Sequence, residues 1–161
     1  MQQLGKEIRI VDAYSASGLT VADYVKVLRD KPYKYEKHYF PHDARAKSMQ
    51  TGKSIKEAAE EYGLDVEISK EISIQAGINE GRMKLRRCWI DESCEEFLEA
   101  LSQYRREYDE KKQVFRQTPL HDWTSHFADA YRYLAVSIED PEQPEEWRDQ
   151  SDLGFDLEEV A

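Results

Sequence analysis

Segments with strand-like and helix-like patterns alternate along the chain, and this alternation predicts an α/β layer fold over residues 1–139. Three observations carry the prediction. Residues 7–12, EIRIVD, are rich in β-branched side chains and run into the turn-forming Ser15-Ala16-Ser17-Gly18. Val21, Tyr24, Val25 and Leu28 then recur at helical spacing behind Thr20, a residue type that caps helices. The aromatic, roughly alternating YKYEKHYF of residues 33–40 follows and is stopped by Pro41.

Strand, helix and strand in this order imply a parallel crossover between the first and second strands. Next, Ser54-Ile55-Lys56-Glu57 has the capping-box pattern, and Gly63 suits the position just past the helix it opens. A short strand is expected at residues 65–68 and a helix over 71–85, although Gly77 and Gly81 disfavour helix there. Residues 87–90 read as a brief strand. An amphipathic helix over 93–104 has Phe97, Leu98 and Leu101 on one side, and residues 108–116 form a charged strand or hairpin arm. The last helix spans 122–138, placed between Pro119 and the pair Pro141 and Pro144.

The 161 residues suit one domain, and a 40% hydrophobic content suffices for one core. The formal charge of −10 is unevenly spread: residues 139–161 carry ten acids against Arg148 alone, leaving −1 for residues 1–138. Residues 140–161 therefore read as an acidic, disordered tail. A nearly neutral body can still present a basic face, with Arg82, Lys84, Arg86 and Arg87 as one cluster and Arg105, Arg106, Lys111, Lys112 and Arg116 as another. No apolar run is long enough to span a bilayer and the N-terminus has no apolar signal core, so a soluble, intracellular protein is expected. Cys88 and Cys94 are spaced as neither a redox pair nor a zinc knuckle and read as reduced structural residues.

Two places carry residue types suited to chemistry. Asp43 follows the second strand, at the edge where open α/β sheets bind ligands. On the final helix, Asp122, His126, Asp129 and Tyr133 recur at three- and four-residue intervals and form a polar stripe, with Trp123, Phe127, Ala130 and Leu134 expected to pack on the sheet. Carboxylates at a strand end and on a packed helix suit hard divalent ions such as Mg²⁺ or Mn²⁺, with an imidazole as an added ligand or proton carrier. Read from the residues alone, an Asp placed like Asp43 is more often a turn or helix-cap residue, and Asp122 reads as a helix cap beside surface His126 and Asp129. Thr51-Gly52-Lys53-Ser54 is not a phosphate loop, because Lys47 stands where its first glycine would fall. It reads as the start of a capped helix, and no ATP site is expected.

The segments IRIVDAYSASG, YFPHDA, TGKSIKEAAEEYGLDV, AGINEGRMKL and HDWTSHFADAYRY resemble, in order, the C-terminal nuclease domain of the tailed-phage large terminase subunit, over roughly residues 2–138. The most specific pieces are PHDA and SHFADAYRY. The resemblance implies a ribonuclease-H-like mixed sheet flanked by helices and a two-metal Mg²⁺ or Mn²⁺ site. It assigns catalytic and metal-binding roles to Asp43, Asp129 and His126. Asp122 and Asp12 are weaker candidates. In this family the first catalytic Asp lies on an opening strand that would precede Met1, so the chain is expected to be N-terminally truncated and to lack the ATPase motor. Asp12 matches the second strand instead.

The function implied is endonuclease cleavage of concatemeric double-stranded DNA during genome packaging. Arg82, Lys84, Arg86 and Arg87 would position the DNA, the portal protein and small terminase subunit would be partners, and the bacterial host cytoplasm the location. Two alternatives are open: a non-catalytic remnant serving as a DNA-binding or protein-docking module, and a resolvase-like nuclease.

Overall fold

A computed structural model describes residues 1–139; the expected acidic tail lies outside the described residues. The fold is mixed α/β, with five α-helices and three small sheets among the described residues. β1 (Gln2–Leu4) and β2 (Glu7–Ile10) form an antiparallel hairpin through Gly5-Lys6, where Gly5 takes φ +58°. Such a tight turn needs the positive φ that glycine adopts without strain. α1 (Val21–Asp30) starts at a capping box in which Thr20 accepts from the Asp23 amide and Asp23 from the Thr20 amide. β3 (His38–Phe40) leads into a 3₁₀ turn, His42–Arg45. α2 (Ile55–Glu61) opens at the reciprocal Ser54–Glu57 box. β4 (Val66–Ile68), α3 (Ile74–Leu85), β5 (Cys88–Ile90) and α4 (Glu95–Gln103) follow, then a hairpin of β6 (Arg106–Asp109) and β7 (Val114–Pro119), and finally α5 (Trp123–Ser137).

Every expected helix forms, and the strands differ more. The expected first crossover pair does not: β2 is hydrogen-bonded to β1 and, in parallel, to β5, whereas β3 pairs in parallel with β4. Only His38–Phe40 of the aromatic run is strand, because the preceding Tyr33 and Tyr35 have no ladder partner and stand exposed, with their rings in edge contact at 6.3 Å.

The core gathers Ile8 and Ile10 of β2, Phe97 and Ala100 of α4, and Phe127 and Tyr131 of α5. The Phe97 ring meets those of Phe127 and Tyr131 edge-on, at 5.9 and 6.1 Å, a geometry that aromatic quadrupoles favour. α5 is turned relative to the expected packing face. Thr124, Phe127, Ala128, Tyr131 and Ala135 are buried, while Trp123 and Ala130 are exposed. The cause is packing by helices: α3 and α4 both lie against α5, and the two glycines that disfavoured helix in α3 make the close approach possible. Tyr131 fits over Gly81 and donates to its carbonyl at 3.1 Å, and the stem of Arg132 lies over Gly77. Burial pushes the Tyr131 phenol far above its ordinary range. Among the described residues no helix is long and apolar enough to cross a membrane.

Candidate functional site

α5 leans on the C-terminal ends of β3 and β4. Ser137 donates to Ser69, just beyond β4, at 2.8 Å, and the Tyr133 hydroxyl stands 3.4 Å from His42 Nδ1, just beyond β3. These two contacts bring the Pro41-His42-Asp43-Ala44 segment against the helix that carries His126 and Asp129. Ala44 is buried and fixes the 3₁₀ turn, which leaves the Asp43 side chain exposed. The helix over 123–137 keeps His126, Asp129 and Tyr133 on one side, as their spacing requires.

The members of the expected stripe have different surroundings. Asp122 is the N-cap of α5, accepting from the Thr124 amide at 2.9 Å. The Thr124 hydroxyl holds its carboxyl below the ordinary range, with smaller help from Arg105 at 3.6 Å. His126 is exposed, with its ring 5.9 Å from that of His121. Asp129 is half-buried and ion-paired with Arg132 at 3.2 Å. Arg132 itself is 8% exposed and lies 4.4 Å from the centre of the Tyr133 ring. Tyr104 closes the other side of this group, and burial followed by the Asp129 charge pushes its phenol upward. Asp12 is engaged elsewhere, in a 2.5 Å ion pair with Lys31.

Carboxylate oxygens and imidazole are donors that hard divalent ions accept. Among the described residues, however, no three His, Cys, Asp or Glu side chains gather into a group that could hold a metal ion. Asp129 faces a guanidinium instead. The described residues do not by themselves fit a two-metal centre.

The expected basic cluster is also redistributed. Lys84 is buried and donates to the carbonyls of Ala135 (2.7 Å) and Ile138 at the end of α5, so it fastens two helices instead of meeting a ligand. Arg82 and Arg86 are exposed and Arg87 is half-buried. Arg82 looks across a groove to Arg105 and Arg106, which belong to the second cluster, and to Arg132, which pattern reasoning did not single out. The sequence signals for that groove were the two basic clusters and the four-residue spacing of Gly77 and Gly81. Thr51-Gly52-Lys53-Ser54 is a turn into the α2 cap, with Lys53 bonded to Glu61 at 2.6 and 2.8 Å.

A second, larger cleft of about 730 Å³ lies between α1, α2, β1 and the approach to β3. Its walls include Val11, Asp12, Tyr14, Leu28, Tyr35 and Phe40. No family model, curated protein or solved structure matches the chain.

Proposed function

We propose that this chain is part of a metal-dependent endodeoxyribonuclease of the phage terminase kind, in which Asp43 and Asp129, with His126 beside them, supply part of an active site completed by a further carboxylate. The observation that carries the reading is the Tyr133–His42 contact. It joins the two segments of strongest resemblance, PHDA and SHFADAYRY, which are far apart in sequence, at the C-terminal edge of a parallel strand pair.

The strand arrangement supports the need for completion. β2 and β3 are separated by one helix, yet each pairs with other strands, and the 730 Å³ cleft borders both β1 and β3. A strand running through this space would bridge the two parallel pairs into one ribonuclease-H-like sheet and bring its own Asp toward Asp43. The partners are then double-stranded DNA and, by resemblance, the portal protein and the small terminase subunit. Mg²⁺ or Mn²⁺ would be held by that Asp together with Asp43 and Asp129.

The non-catalytic reading, a DNA-binding or docking module, is favoured by the Asp129–Arg132 pair, which occupies a proposed metal ligand. Plasmid nicking separates the two. On the nuclease reading the chain alone nicks supercoiled plasmid negligibly in Mn²⁺, and gains nicking when produced with the polypeptide encoded immediately upstream. No gain in that pairing overturns the nuclease reading and leaves the docking module. Strong nicking by the chain alone, lost in Asp43→Ala and Asp129→Ala, shows instead that the chain's own residues complete the site.

A further inference from the structure

We infer that the groove between α3, α5 and the base of the β6–β7 hairpin is a binding site for the phosphates of a nucleic-acid backbone. Its wall brings together Arg82 from α3, Arg105 and Arg106 from the α4–β6 junction, and Arg132 from α5, with Gln75 and Gln117 as neutral donors. Among the described residues no Asp or Glu lines it, in a chain that has 33 acidic residues against 23 basic ones. Four guanidiniums converge where chain-wide composition predicts an excess of carboxylates.

The four are not equivalent. Arg132 is anchored, its stem over Gly77 and its charge shared with Asp129. Arg105 reaches Asp122 only at 3.6 Å. Arg82 and Arg106 are exposed, and among the described residues neither has a carboxylate partner at ion-pair distance. Arginine stays charged at any relevant pH and offers paired N–H donors that match two phosphate oxygens. The buried Ala128 and Tyr131 in its wall lower the local dielectric and strengthen that attraction.

The groove has a volume of about 240 Å³. That suits a run of backbone phosphates and is far too small for stacked base pairs. Binding is therefore blind to sequence and steeply dependent on salt. The inference shares with the nuclease reading the nucleic-acid partner but needs no metal, so its test is run in EDTA and is independent of cutting.

Fluorescence anisotropy of a short labelled duplex is measured with the full chain over a salt series. Arg82→Gln and Arg106→Gln each weaken binding several-fold, equally on duplexes of unrelated sequence, and each lowers the log–log salt slope by about one. Lys111→Gln with Lys112→Gln, at the hairpin turn outside the groove, leaves binding unchanged. Circular dichroism confirms that the variants are folded. The proposal is overturned if the wild-type chain does not bind, if the double arginine variant binds as tightly as wild type, or if the hairpin-turn lysines matter as much.

Discussion

Arg132 crosses Gly77 so closely that a β-carbon on the glycine would stand 2.5 Å from the arginine Cγ and 2.7 Å from its Cδ. Neither contact is attainable without moving the Arg132 stem, and Arg132 holds Asp129 from the same position. Packing of α3 on α5 and the placement of a candidate site residue are thus one arrangement.

Gly77→Ala is expected to destabilise the fold by about 1–2 kcal/mol, overpacking outweighing the gain of roughly 1 kcal/mol in helix propensity. At Gly81 the nearest atom, Tyr131 Cε1, would be at 3.3 Å, a contact that a small ring shift relieves. Gly81→Ala is therefore near neutral, the gain in helix propensity being offset by the cost of shifting a ring packed on Phe97 and bonded to the Gly81 carbonyl. Urea denaturation of the two variants tests the contrast, and equal costs contradict the packing described.

Lys84 is 7% exposed and bonded to carbonyls at the end of α5. Lys84→Met keeps the stem but leaves those carbonyls unpaired, at an expected cost of about 1–3 kcal/mol. Arg86→Met, on the exposed side, is expected to stay within about 0.5 kcal/mol of wild type. Thermal denaturation distinguishes them. A lysine acting as a surface DNA contact would show the opposite profile, weakened binding with unchanged stability.

Acid is expected to loosen the fold through its capping residues. Asp23 and Asp122 are held below the ordinary carboxylate range first by the hydroxyls of Thr20 and Thr124, and Glu57 first by the Ser54 amide. A lowered folded pKa contributes stability that is fully present above the unfolded value of about 4 and is lost as pH falls through the folded value. The urea midpoint should therefore hold steady from neutrality to about pH 5 and fall below about pH 4. Glu57→Gln should flatten that fall, and a midpoint insensitive to acid would contradict the capping roles.

What was legible in the sequence was local. The Thr20 and Ser54 starts were readable because a cap involves residues three apart. The stripe of His126 and Asp129 was readable because helical spacing alone puts them on one side. Relations set by tertiary approach were not readable. β2 pairs with the remote β5, and β1 is a three-residue strand without an apolar pattern. α5 turned because two helices flank it. Lys84 and Arg132 look like surface cations in the sequence, yet both are buried by the α3–α5 contact. The same contact decides that Asp129 meets a guanidinium and that the basic surface is a groove lined from three elements.

On the proposed reading, the strand-end Asp43 and the helix Asp129 belong to one divalent-ion nuclease site that a further strand completes. Mn²⁺-dependent nicking of supercoiled plasmid by this chain, produced together with the polypeptide encoded immediately upstream, tests it most directly. The account predicts nicking that is absent from either component alone and abolished by Asp43→Asn and by Asp129→Asn in chains that remain folded. Nicking that survives both substitutions, or none in the combined preparation, would contradict it.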